Sequence, residues 1–280
     1  MTTGRRLKLF HLTMESFLAN CLDKDLIVRW LVSDDGSSDY DFYAMKRKYP
    51  FIEFYRSKKE GQPASLNHLF SKVETEWFFH LEDDWLFCWP DRFIEKLFDI
   101  AFDDEKIKNV VLTNWKPLNP GLFKTTKGGV GYVIHKFDPT VSDEDQEATD
   151  SGWFGLSLNP GLQNTAVIKS LGKFDESLPA TTRLWDKAQA KAYMKMGYKR
   201  ASLSEGRLYV KHMGGQSLYT IRRCECRDKN RCNKYPDCEG CSGDRSNYHK
   251  PEDERKRSFS KSKSKLRTRE YRLRRNRNAG

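Results

Sequence analysis

Trp77-Phe78-Phe79-His80-Leu81-Glu82-Asp83-Asp84 carries a largely aromatic run directly into three consecutive acids. The run reads as a buried strand, and the acids stand at its carboxyl end, where open α/β sheets gather their ligands. Three adjacent carboxylates repel one another, and a hard divalent cation with oxygen ligands is the usual compensation. Upstream, Pro63 to Val73 reads as a helix with proline near its start, and Phe51 to Arg56 as a strand. Leu26 to Val32 is a second apolar strand, and Leu7, Phe10, Met14, Phe17, Leu18 and Cys21 fall at helical spacing before it. Downstream come a helix from about Asp91 to Phe102, with Phe93, Leu97 and Ile100 on one face, and a strand from Asn109 to Thr113. This alternation predicts an α/β fold, a mainly parallel sheet flanked by helices. From Trp115 to Asp150 the pattern weakens, and Ser142-Asp143-Glu144-Asp145-Gln146-Glu147 reads as a solvated loop. A helix around Trp185 to Met196 and a short strand near Tyr209 to Lys211 close the body.

Charge divides the 280 residues. Residues 1–221 hold 30 Lys+Arg and 30 Asp+Glu, whereas residues 222–280 hold 20 against 9 and carry the whole net charge of +11. Cysteine divides in the same place, with Cys21 and Cys88 in the body and five more between 224 and 241. The expected organisation is a neutral domain over 1–221, a cysteine-rich segment over 222–250 and a basic tail over 251–280. No apolar run approaches the roughly 20 residues of a spanning helix. Met1-Thr2-Thr3-Gly4-Arg5-Arg6 lacks the apolar core of a secretory signal, so the expectation is a cytoplasmic protein, open to peripheral membrane association.

Ser33-Asp34-Asp35-Gly36-Ser37-Ser38-Asp39 follows the first clear strand. Alone it is ordinary turn and helix-cap chemistry. Further along the chain lie Gly61 and Asn67, then Glu82-Asp83-Asp84 followed by Pro90-Asp91-Arg92-Phe93, then Leu171-Gly172-Lys173-Phe174-Asp175-Glu176. Asp186 precedes Gly197-Tyr198-Lys199 by eleven residues. In order and spacing these motifs resemble the GT-A fold glycosyltransferases, most closely family 2, over roughly residues 5–215. The resemblance implies a Rossmann-like sheet and inverting transfer of a sugar from a nucleotide-sugar donor, with a UDP-sugar the commonest case. By position it implies that Asp34 and Asp35 contact the base, with Gly61 and Asn67 also in the substrate-binding set. Glu82 or Asp83 reaches the ribose, and Asp84 of the D-x-D-type motif binds Mn²⁺ or Mg²⁺. His212, fifteen residues after Gly197, matches a histidine that helps hold metal or diphosphate. Asp186 matches the catalytic base, with Trp185 replacing the glutamate usual beside it. Leu158-Asn159-Pro160-Gly161-Leu162 resembles the loop near the donor sugar and acceptor. Trp153 and Trp185 offer flat faces to a sugar, or serve as core residues. Two simpler readings also stand: Asp186 as a helix-dipole partner and His212 as a surface residue. The family's first strand is reduced to Met1-Thr2-Thr3, which predicts either a longer parent chain or a sheet that manages with a stub.

Cys224, Cys226, Cys232, Cys238 and Cys241, with His249 beyond, have the density of a structural zinc site. A disulfide knot and free thiols are the alternatives. From Pro251 onward twelve Lys+Arg, four acids and few apolar residues predict a disordered segment. Its charge suits a polyanion, whether RNA, an anionic membrane surface or an acidic protein. Two other function classes remain open: a zinc- and nucleic-acid-binding protein on a non-catalytic α/β scaffold, disfavoured by the neutral body, and a nucleotidyltransferase, disfavoured by the lack of a basic Gly-rich phosphate loop.

Overall fold

A computed structural model of the chain describes residues 1–56, 61–113, 122–135, 155–178 and 184–213. The expected zinc ligands Cys224, Cys226, Cys232, Cys238 and Cys241, the basic tail and Trp153 lie outside them. Among the described residues, no helix is long and apolar enough to cross a membrane.

The chain begins with a two-residue strand, β1 (Thr2–Thr3), and turns at once into α1 (Leu7–Asn20). Next come β2 (Leu31–Asp34), α2 (Asp39–Lys48), β3 (Glu53–Arg56), α3 (Gln62–Lys72), β4 (Trp77–His80), β5 (Trp85–Phe87), α4 (Phe93–Asp103) and β6 (Ile107–Val111). The hairpin strands β7 (Leu122–Thr125) and β8 (Gly131–Ile134), β9 (Gly161–Asn164), α5 (Thr165–Ser170), α6 (Leu184–Lys195), β10 (Lys199–Leu203) and β11 (Val210–His212) follow. β1, β2 and β3 pair in parallel, and a second group runs β4-β9-β6-β10-β8-β7. β1 joins the two groups through a parallel bridge from Thr2 to Glu82 and the bond Thr2 N–H to Leu81 O (3.3 Å). The two-residue strand stands between the two groups, with Thr3 in register beside Asp34.

The α/β alternation is as expected, but the sheet is more mixed than mainly parallel. β9 runs antiparallel between β4 and β6, and β8 runs antiparallel to β10. Among the described residues, only β6 and β10 pair in parallel within the larger group. The strand expected over Leu26 to Val32 also shifts. Lys24–Leu26 is a 3₁₀ turn, Val28 is 75% exposed, and pairing with β3 starts only at Leu31. The apolar run misleads because Ile27 and Val28 precede any partner strand.

Helix α1 separates two apolar clusters. Phe10 and Met14 pack with Val32, Phe42 and Met45, while Phe17 and Cys21 pack with Phe87, Phe93 and Leu97. The Phe17 ring meets Phe87 edge-on at 4.8 Å, an arrangement favoured by the ring quadrupoles. In α4, Phe93, Ile94, Leu97, Ile100 and Ala101 form one buried stripe at helical spacing. Helix α2 buries a shorter face, Phe42 and Met45, and Ser38 caps it by accepting from Asp41 N–H (3.1 Å), with Asp39 and Asp41 in its first turn and Lys46 to Lys48 in its last.

β9 approaches β6 so closely that a Cβ on Gly161 would lie 2.2 Å from Val110 O and 2.7 Å from Val111 Cα. Both obstacles are backbone, so neither can rotate away. Gly161→Ala should therefore lower unfolding free energy by about 2 kcal/mol or more, read from urea denaturation. An unchanged midpoint would show that β9 can slide without cost.

Candidate active site

The sheet delivers two acidic motifs to neighbouring strand ends. β2 ends at Asp34, whose side chain has no exposed surface. Its Oδ2 accepts from Ser37 N–H (3.2 Å) and lies 3.8 Å from Arg56 Nε, whereas the buried Oδ1 has no hydrogen-bond partner among the described residues. Burial raises the Asp34 carboxyl above its ordinary range. Asp35 Oδ1 accepts from Gly61 N–H (2.9 Å), just before α3. Gly61 has φ +118°, a conformation that strains any side-chain-bearing residue and here aims its N–H at Asp35.

Beyond β4, Glu82, Asp83 and Asp84 lead into β5. Asp83 is fully buried and Asp84 is 6% exposed. Asp83 Oδ2 accepts from Thr3 Oγ1 (2.8 Å), Gly4 N–H (3.4 Å) and Arg6 Nε (3.2 Å), and its Oδ1 pairs with Arg6 Nη2. Arg6 Nη1 reaches on to Asp84 Oδ2 (2.8 Å). Glu82 accepts from the Gln62 amide at the start of α3. His212 arrives through β11, which pairs antiparallel with β5 and sets His212 opposite Trp85. Its Nε2 lies 3.3 Å from Asp84 Oδ2, and its ring centroid is 4.8 Å from that of Trp85. Met213 N–H closes the corner on Asp84 O (2.8 Å).

Thr3 and Gly4 hold the two motifs together. Thr3 O accepts from Asp35 N–H (2.7 Å) while Thr3 Oγ1 donates to Asp83, and a Cβ on Gly4 would lie 2.8 Å from Asp35 O. The Asp34-Asp35 turn and the Glu82-Asp83-Asp84 run are thus separated by the width of one stub strand.

One atom here fits a divalent cation, the buried Asp84 Oδ1, with no hydrogen-bond partner among the described residues; His212 Nε2, 3.3 Å from Asp84 Oδ2, would join it only by losing its proton and exchanging that contact for the ion. Among the described residues no group of three His, Cys, Asp or Glu side chains is arranged to hold a metal ion. Mg²⁺-type sites commonly use one or two protein ligands completed by substrate phosphates and water, which this pair would permit.

The remaining expected residues are elsewhere. The Asn67 carboxamide accepts from Phe174 N–H (2.9 Å) and donates to Phe174 O (2.9 Å) and Glu176 (3.0 Å). Its groups dock the 171–176 loop on α3. Trp185 is likewise a core residue, 4% exposed, edge-on to Phe174 at 5.3 Å and clustered with Leu66, so it offers no open face to a sugar. Asp186 follows it in the first turn of α6. The loop over 158–162 is braced from beneath: Asn109 Oδ1 accepts from Ser157 N–H (2.9 Å), Gln163 donates to Ser157 O (3.1 Å), and Asn159 donates to Thr113 (3.2 Å). Arg6, Thr3 and Gly4 were missed by the sequence reading, because their partners lie some eighty residues away.

Burial and the charge of Asp84 push the Glu82 carboxyl from 4.5 up to about 7, and burial pushes Asp83 from 3.8 up to about 6 against the pull of Arg6. Burial acts on Asp84 in the same direction, but the His212 hydrogen bond and the Arg6 charge outweigh it and hold the carboxyl below its ordinary value. The hydrogen bond to Asp84 raises His212. Stability from Glu82, Asp83 and His212 is therefore lost as pH rises through their folded values, while His80, His135 and the Met1 amino group, which burial holds below their ordinary values, contribute the opposite slope. Glu82→Gln should shift the stability difference between pH 5 and pH 8 by on the order of 2 kcal/mol in favour of pH 8, read from thermal unfolding against wild type. An unaltered difference would remove Glu82 as a contributor.

No protein-family model matches the chain, and no curated protein matches it. Solved structures of S. aureus TarS are similar to it: one at 18% identity and TM-score 0.48, covering 76% of this chain and 36% of that one. A structure of TarS 1-349 aligns at 16% identity and TM-score 0.47, over 75% of this chain and 58% of that one. TarS 1-349 in complex with UDP-GlcNAc aligns at 16% identity and TM-score 0.44, over 78% and 60%. The chain thus spans between 36% and 60% of the length of these structures.

Proposed function

We propose that this chain is a GT-A-type, family 2-like glycosyltransferase that moves a sugar from a nucleotide-sugar donor, a UDP-sugar by preference, to an acceptor hydroxyl. One observation carries the reading: Asp34-Asp35 and Glu82-Asp83-Asp84 stand side by side at strand ends, pinned by Thr3 and Gly4. In this reading the unpartnered Asp34 Oδ1 and the neighbouring Asp35 receive the base. Glu82 or Asp83 lies toward the ribose, and Asp84 with His212 hold Mn²⁺ or Mg²⁺. A cation held there offsets the charge that develops on the leaving diphosphate. Asp186 takes the proton from the acceptor hydroxyl as the acceptor oxygen bonds to the anomeric carbon and the carbon–oxygen bond to the diphosphate breaks, with inversion. The protein's other groups act by position: Gly61 and Ser37 fix the base-side acids, and the braced 158–162 loop borders the sugar.

A hydrolysis panel of several nucleotide sugars with Mn²⁺ tests the class and the base preference together, and UDP-sugars should turn over fastest. Calorimetry of Asp84→Ala should show no Mn²⁺-dependent heat of UDP binding, and undiminished affinity in a folded variant would move the cation elsewhere. Asp186→Asn should lower transfer by at least roughly 10²-fold while UDP binding survives. Near-normal turnover would assign the base to another residue.

A further inference from the structure

We propose that Arg6 is the built-in counter-ion of the acidic cluster, and that it makes cation binding at Asp84 conditional on the nucleotide diphosphate. The inference rests on the reading of Asp84 and His212 as the cation's protein donors. Its own ground is the guanidinium fork. Arg6 Nε and Nη2 grip both oxygens of Asp83, and Nη1 lies 2.8 Å from Asp84 Oδ2. The Arg6 side chain is 14% exposed, against 0% for Asp83 and 9% for Asp84, so solvent screens these contacts poorly. One delocalised charge therefore serves two carboxylates, in the bidentate geometry that arginine, unlike lysine, provides.

The surroundings add to that positive charge. Arg6 is the N-cap of α1, a helix with no acidic residue in its first turn, and Gly4 N–H points at Asp83 from the same end. The helix therefore adds its own partial positive charge beside Arg6. Asp84 Oδ2 is shared between Arg6 and His212, which leaves Oδ1 as the oxygen open to a cation. A divalent ion approaching that atom alone meets a carboxylate already partly neutralised and a fixed positive charge beside it. A diphosphate arriving with the ion reverses the balance, because its negative charge answers the ion and Arg6 together. Arg6 thus keeps the folded acids compatible before substrate binds and suppresses idle capture of metal.

The test is a Mn²⁺ titration of the full chain, read as free Mn²⁺ by electron paramagnetic resonance, with and without saturating UDP. Wild type should bind Mn²⁺ alone at least about tenfold more weakly than with UDP. Arg6→Met, which removes the charge but keeps bulk, should bind Mn²⁺ alone about tenfold or more tightly than wild type, the scale of one unit charge at an intermediate dielectric. Arg6→Lys keeps the charge and should keep the wild-type gap. A residue that merely propped the site open would give the opposite sign, since its loss would weaken Mn²⁺ binding. Unchanged or weaker binding of Mn²⁺ alone by a folded Arg6→Met protein would overturn the proposal. Should that variant not fold, Arg6→Gln takes its place in the same titration and must likewise bind Mn²⁺ alone more tightly than wild type; equal wild-type affinity with and without UDP would also remove the role of Arg6 while leaving Asp84 as a cation ligand. Absence of Mn²⁺ binding to wild type even with UDP would instead overturn both readings.

Discussion

A carboxylate with no exposed surface needs a partner for every lone pair it brings inside, and Asp83 is such a group at the centre of the sheet. Its partners come from the first six residues: the Thr3 hydroxyl, the Gly4 amide and the Arg6 guanidinium. Losing any one leaves charge buried with less compensation, a defect that typically costs several kcal/mol. This ties the amino-terminal stub to the end of β4. The stub in turn is the bridge between the parallel strands β1 to β3 and the larger mixed group. Sheet continuity and the placement of the acids are therefore one constraint.

Helix α1 extends that constraint into the core. It begins at the residue that grips Asp83 and ends where Asn20 O accepts from Asp91 N–H (2.9 Å), ahead of α4. Between these ends it buries Phe10 and Met14 on one side and Phe17 on the other. The position of Arg6 is thus set by two apolar clusters rather than by the charges alone. An ion pair anchored on a packed helix loses less side-chain entropy than one between free surface chains.

Much of this was legible in the chain because it is local. Helices α1, α3 and α4 follow from apolar spacing, β4 from its aromatic run, and the polar end of β4 from three acids that no apolar interior would hold unassisted. Asp34, Asp35 and Gly61 were legible as a motif, and their bonds are short-range or cross one βα connection. The long-range partners were not legible. Nothing near Arg6 announces Asp83, and nothing near Asn67 announces the Phe174 main chain it binds, 107 residues away. Trp185 was open between a flat face for a sugar and a core residue, and Leu66 and Phe174 close over it. The reversed strand β9 escaped for a different reason: Gly161-Leu162-Gln163-Asn164 has no alternation, since all four residues are buried between β4 and β6.

The two acidic motifs are satisfied in different ways, and the difference bears on what each can do. Asp34 and Asp35 are held chiefly by main-chain amides of turns, Ser37 and Gly61, with one cation, Arg56, 3.8 Å from Asp34 Oδ2. Asp83 and Asp84 are held by Arg6 and His212, full or titratable charges on a helix start and a distant strand. Each motif nevertheless leaves one buried oxygen, Asp34 Oδ1 or Asp84 Oδ1, without a hydrogen bond among the described residues. An unmade bond of that kind costs roughly 1–3 kcal/mol, more for a charged group. Free carboxylate oxygens at the ends of neighbouring strands are tolerable in a folded protein when a ligand repays them. The first, held mainly by amides, suits a hydrogen-bond donor, and the charge-rich surroundings of the second suit an ion.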